Sequence, residues 1–132
     1  MIGLDTNVIV RYVTQDDARQ AVAASKLFEH TLTADRPGFV GLITLCELAW
    51  VLADCYGADK GRIAAVIEGL LASRQLVVED SDIVWKTMRA WENSAADFAD
   101  VLVGEVLVAR GCDRIVTFDK AAAKLPAFEL LG

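Results

Sequence analysis

One histidine, three cysteines and two prolines in 132 residues leave several kinds of chemistry without material. The single His30 lies on an otherwise amphipathic helical stretch and reads as a surface or half-buried residue rather than a ligand. Cys46, Cys55 and Cys112 are odd in number and have no paired spacing, so neither a disulfide framework nor a zinc site is indicated. No segment approaches the roughly eighteen consecutive apolar residues that a bilayer span requires. The longest uncharged run, Pro37 to Cys46, stops at Glu47. The N-terminus has no basic region and carries Asp5 inside its apolar stretch, unlike a signal peptide. Basic residues are outnumbered, 13 Lys and Arg against 19 Asp and Glu, for a net charge of −6. That balance argues against a protein that coats nucleic acid by charge alone, but not against one that meets phosphates through metal.

Apolar residues, by contrast, are abundant, at 55% of the chain. The mean hydropathy is +0.38. In a chain with no membrane segment, the surplus apolar surface is expected to meet protein, which points to a cytoplasmic oligomer. The length suits one compact domain over residues 1–132 with a single core.

Short apolar runs alternate with helical patterns. Residues 2–5 read as a buried strand followed by a helix to about Val13. A helix from Asp16 places Ala18, Ala21, Val22, Ser25, Phe28 and Leu32 on one face. Phe39 to Gly41 reads as a second strand, with a helix from about Thr44 to Tyr56 ended by Gly57. Asp59 can cap the next helix. Leu76 to Val78 is a third strand, and Asp80 or Ser81 caps a helix that faces Ile83, Val84, Met88 and Trp91 inward. Asp97 is placed as the cap of an apolar helix, Val101 to Ala109, whose continuous hydrophobicity predicts burial on most sides. Arg114 to Thr117 and Phe128 to Leu131 are the last strands. Brief, continuously apolar strands between helices predict an α/β fold with a mostly parallel sheet covered on both faces.

The acids carry the chemistry. Asp5 and Asp119 each end an apolar run where a helical pattern begins, the edge at which ligands bind in parallel sheets. Were their strands neighbours, both carboxylates would flank one crevice. Asp100 lies in the first turn of its helix, and Glu47 is expected in the first turn of the helix after the second strand. Clustered carboxylates raise one another's pKa, and a divalent cation reverses that preference. Oxygen donors without His or Cys favour Mg²⁺ or Mn²⁺, ions suited to phosphodiester hydrolysis. Each acid alone has a structural reading as a helix cap. Asp97, one turn from Asp100, reads as a cap, a support or an occasional ligand, and Glu105 as structural. Thr6, Asn7 and Thr117 flank the acids as hydrogen-bonding supports or as cap residues. Arg11 and Lys120 are the best-placed cations for a substrate backbone, or else solvated charges.

An apolar strand ending in Asp5-Thr6-Asn7, a glutamate within Leu45-Cys46-Glu47-Leu48, the Asp97-Phe98-Ala99-Asp100 motif and Thr117-Phe118-Asp119 follow one another in the order found in PIN domains. Together with the length, they resemble the toxin component of VapBC-type toxin–antitoxin systems. The resemblance covers essentially the whole chain. It implies a three-layer α/β/α sandwich with a central, short-stranded, mostly parallel sheet, and a ribonuclease needing Mg²⁺ or Mn²⁺. It makes Asp5, Glu47, Asp100 and Asp119 the acidic quartet, with Asp5 and Asp100 the most direct metal ligands and Glu47 and Asp119 further candidates. It also implies an RNA substrate, a cognate antitoxin that links the protein to DNA only indirectly, and a homodimer.

Two other classes compete. A phosphatase using Asp5 as nucleophile usually carries a second aspartate two residues on, where this chain has Asn7. A non-catalytic RNA- or protein-binding PIN module is the other, and the intact quartet argues against it.

Overall fold

The computed structural model describes all residues, Met1–Gly132. The chain divides into two compact units, Met1–Glu79 and Asp80–Gly132.

In the first unit, β1 (Ile2–Gly3), β2 (Gly38–Val40) and β3 (Leu76–Val78) form a parallel sheet in the order β1-β2-β3. The strands are short because each stops where the chain turns into a helix. Leu4, Val40, Leu76 and Val78 are buried from this sheet, while Val77 faces outward. Gly38 permits the close approach at its centre. A Cβ there would come 2.9 Å from Leu4 Cδ1 and from Leu32 Cδ1.

Four helices complete this unit: α1 (Thr6–Thr14), α2 (Ala18–Lys26), α3 (Leu42–Tyr56) and α4 (Lys60–Ala72). Their buried faces supply Ile9, Val10, Leu45, Leu48 and Ile67 to the core. Tyr12 of α1 stacks on Phe28 with ring centroids 4.2 Å apart. Asp59 caps α4 through Arg62 N, as its position in the sequence indicates.

Three local expectations are corrected here. Asp17, not Asp16, caps α2, its side chain accepting from Gln20 N. Asp16 instead accepts from Tyr56 Oη at 2.6 Å and from Thr14 Oγ1 at 2.8 Å. Val22 is 71% exposed, because the helix packs through Ala21 and Ala24, the face that continues to Phe28. Finally, α3 begins at Leu42, two residues before the expected start at Thr44, so Glu47 lies in its second turn rather than its first.

In the second unit, β4 (Ile115–Thr117) and β5 (Phe128–Leu130) form a two-stranded parallel sheet. Helices α5 (Ser81–Glu92) and α6 (Phe98–Ala109) bury Val84, Met88, Trp91, Phe98, Val101 and Leu102. Trp91 and Phe98 meet edge to face at 5.4 Å. Gly104 of α6 sits against the Phe128 ring, where a Cβ would collide with Cε2. The expected all-round burial of α6 does not hold. Val103 and Val108 are exposed, since only the face carrying Val101, Leu102 and Gly104 is buried.

All strand pairs are parallel and alternate with helices, the α/β class read from the pattern. The ladders, however, pair β1 with β2 and β4 with β5, so Asp5 and Asp119 do not follow hydrogen-bonded neighbour strands.

Candidate active site

Asp5 follows β1 by two residues and occupies the N-cap of α1 in extended geometry, φ −79° and ψ 155°. Its Oδ1 accepts from Thr6 N at 2.8 Å. That bond uses one carboxylate oxygen and fixes the rotamer. Thr6 is buried, only 4% exposed, and its hydroxyl donates to Glu47 Oε1. One residue therefore holds two acids: its backbone steadies Asp5 and its side chain steadies Glu47, 41 positions further along. Glu47 is exposed on α3, so its second oxygen faces outward rather than into the core. The half-buried thiol of the adjacent Cys46 is pushed up by burial, which keeps it protonated and unreactive.

Asn7 is exposed on α1 and lines a hollow of about 330 Å³ between α1 and α2 with Val8, Arg11, Gln20 and Ala24. Arg11 is not a free cation on this surface. Its Nε donates to Gln20 Oε1 at 2.6 Å, and its Nη1 reaches Tyr56 Oη at 3.0 Å and Asp16 at 3.4 Å. The Tyr56 and Thr14 hydroxyls, with Arg11, hold Asp16 below its ordinary pKa. Arg11 thus joins α1 to α2 and α3, and any contact with a substrate backbone competes with these bonds.

In the second unit, Asp97 takes the N-cap position of α6 but its side chain makes no capping bond. Its carboxylate is left to the solvent side. Asp100, in the first turn of α6, is half-buried. Its pKa is raised, first by burial and then by the charges of Asp119 and Asp97. Asp119 lies two residues past β4, and its Oδ1 accepts from Ala121 N at 2.8 Å and Ala122 N at 3.1 Å. Its own N–H donates to Thr117 Oγ1 at 3.0 Å. Thr117 therefore orients the turn that carries Asp119, and Lys120 is exposed beside it.

The structure brings Asp5, Thr6 and Glu47 together in one unit and Asp97, Asp100, Thr117 and Asp119 in the other. No group of three or more His, Cys, Asp or Glu side chains is arranged to enclose a metal ion. The donor chemistry nonetheless suits a hard cation. The donors are all carboxylate oxygens, and in the second unit their mutual repulsion is the kind that a divalent ion relieves.

Residues 2–127 match the PIN domain family. The chain belongs to the PIN domain family. The match spans both units and includes every acid named above. The mixed α/β architecture with parallel strands is that of a PIN domain, and the family makes nuclease the general activity class, with divalent metals as its usual cofactors and RNA as the kind of ligand it suggests. No curated protein matches the chain. None of the helices of this PIN domain is long and apolar enough to cross a membrane.

One acid of this PIN domain was not singled out from its sequence. Glu79 immediately follows β3, and its Oε1 accepts from Leu42 N at 2.9 Å, capping α3 in place of a local side chain. The signal was present, an acid ending an apolar strand run, the same that marks Asp5. Its role is to fix the start of the helix that carries Glu47.

Proposed function

We propose that this PIN domain is an endoribonuclease that hydrolyses RNA phosphodiester bonds with Mg²⁺ or Mn²⁺, and that it is the toxin of a type II toxin–antitoxin pair. Asp5, Glu47, Asp100 and Asp119 are its acidic quartet, in a single domain of residues 1–132. Asp5 and Asp100 are the principal metal ligands, with Glu47 and Asp119 completing the set. When bound, the cation supplies charge neutralisation at the phosphodiester and Lewis-acid activation of the attacking water.

The chain's own part is to hold these carboxylates in place before the cation arrives. Thr6 N–H and the Thr6 hydroxyl orient Asp5 and Glu47. Ala121 N, Ala122 N and the Thr117 hydroxyl orient Asp119 and its turn. Asp97, free of a capping bond, stands beside Asp100 as a support or an occasional ligand.

The observation that carries this reading is the bond from the buried Thr6 hydroxyl to the exposed Glu47. A surface glutamate kept for solubility needs no buried donor, whereas a ligand must be held in one rotamer. The toxin role, the cognate antitoxin, a homodimer and a cytoplasmic location belong to the same proposal, supported by the likeness of the four motifs to VapBC toxins.

The test is brief induction of the wild type and of Asp5→Asn, followed by sequencing of new RNA 5′ ends. Recurrent cuts in the wild type alone are expected. Matching end profiles from two folded, antitoxin-free proteins would overturn the ribonuclease reading.

A further inference from the structure

Of the ten aromatic residues of this chain four are exposed, Trp50, Tyr56, Trp85 and Phe118, and two of these stand apart. Phe118 is 79% exposed and Trp50 is 60% exposed, more than any other aromatic side chain in the protein. Both lie beside acids of the quartet. Trp50 is three residues past Glu47 on α3, one turn away on the same face. Phe118 is the residue immediately before Asp119, between it and Thr117.

Neither exposure is accounted for by the fold. An outward aromatic forgoes the burial free energy it could gain elsewhere, and random scatter would not seat the two most exposed rings beside two of the four acids. Charge supplies the second part of the argument. With a net charge of −6, the protein does not gather a polyanion by long-range attraction, and Arg11, on the helix that follows Asp5, is engaged with Gln20, Tyr56 and Asp16. Affinity for RNA beyond the phosphate contacts open to a bound metal and to Lys120 must then come from contacts that do not depend on charge. Stacking of unpaired bases on aromatic faces is such a contact, tolerant of sequence and open only to strands whose bases are free.

Resting on the ribonuclease reading above, we infer that Trp50 and Phe118 are base-stacking platforms, each receiving an unpaired nucleobase of the RNA strand beside the acid next to it. Each platform belongs to the unit that holds its neighbouring acid, so a base seated on Trp50 positions the strand at Glu47, and one seated on Phe118 positions it at Asp119. Duplex RNA, with its bases stacked internally, offers neither ring a partner.

The experiment uses an unstructured RNA oligonucleotide with the full-length wild type, Trp50→Ala, Trp50→Phe, Phe118→Ala and Phe118→Leu in Mn²⁺. KM and kcat are measured, then repeated on the same oligonucleotide with the bases flanking the mapped cut removed. Each alanine variant is expected to raise KM roughly tenfold with kcat little changed. Trp50→Phe should keep most of the affinity, whereas Phe118→Leu, apolar but without a ring, should behave as alanine. On the abasic RNA the difference between wild type and alanine variants should vanish.

Unchanged KM in both alanine variants would overturn the inference, as would a KM effect that persists on abasic RNA. A change in oligomeric mass that tracks the loss of affinity would also overturn it, assigning the rings to a protein interface. Should the wild type bind the oligonucleotide without cutting it, the ribonuclease reading fails separately. The same variants are then compared by fluorescence anisotropy, where loss of binding in the alanine proteins upholds the platforms and equal binding overturns them.

Discussion

The buried hydroxyl of Thr6 donates to the carboxylate of Glu47, tying the first residue of α1 to the second turn of α3 across 41 positions of sequence. Its backbone N–H meanwhile holds Asp5 at 2.8 Å. A single threonine thus stands behind two of the four acids.

Thr6→Val preserves the shape of the residue and removes only the hydroxyl. Loss of an orienting partner of this kind typically lowers metal affinity or activity about 10- to 100-fold. The stability cost should be about 1 kcal/mol, the usual net worth of one such hydrogen bond. Thr6→Ser should recover most of both. RNA cleavage rates and thermal melts of the three proteins check this. A fully active Thr6→Val enzyme would show that Glu47 needs no anchoring.

Asp100 gives the metal-free protein a distinctive pH dependence. Burial, then the charges of Asp119 and Asp97, raise its pKa above the ordinary 3.8. For an acid with a raised native pKa, the folded state binds more protons than the unfolded state in the window between the two values, so stability falls as pH rises through that window. The cost is absent below the unfolded pKa and complete above the native one. Asp100→Asn in EDTA should therefore melt higher than wild type at pH 7 and converge with it in acid. Melting curves from pH 3 to 8 test this, and a variant less stable at pH 7 would contradict the electrostatic account. Mn²⁺ should raise the wild-type Tm by binding the native state. It should raise that of the variant much less.

Asp119 has two duties that substitution can separate. Its Oδ1 caps the turn through Ala121 N and Ala122 N, a task an amide oxygen performs equally well. Asp119→Asn should keep the wild-type Tm within a degree or two while losing activity by at least about a hundredfold, as expected of a ligand whose mere supports matter 10- to 100-fold. Asp119→Ala should lose activity and, with the cap gone, about 1 kcal/mol of stability as well. Equal activity in the wild type and the asparagine variant would confine Asp119 to its turn.

Glu79 offers a control outside the quartet. Glu79→Ala removes the acceptor for Leu42 N and should cost about 1 kcal/mol, whereas Glu79→Gln should be close to neutral. Chemical denaturation of the two variants distinguishes a capping role from a merely electrostatic one.

Much of this arrangement is legible in the sequence. The apolar runs ending at Asp5, Val78 and Thr117 mark strand ends, and Gly57 and Asp59 mark the end of α3 and the start of α4, because these signals are local. What escaped depends on partners distant in sequence. The start of α3 reads late because Gly41 has no capping side chain and its substitute, Glu79, comes 37 residues after Leu42. Val22 reads as inward because it adjoins Ala21, and the sequence does not say that the packed face runs through the small Ala24 instead. Arg11 looked free because its partners Gln20 and Tyr56 belong to other helices. Strand pairing was the largest gap, since brief apolar runs do not say which neighbour each will take, and β4 takes β5.

The Glu79 cap also sets an order of events during synthesis. The 37 residues between Leu42 and Glu79 take roughly 2–7 s to make at about 5–20 residues per second. Throughout that interval the first turn of α3 lacks its acceptor and the helix is free to fray. Glu47 is thus brought to a settled helix only once β3 has been translated, and a nascent chain stalled before Glu79 carries this acid without its frame.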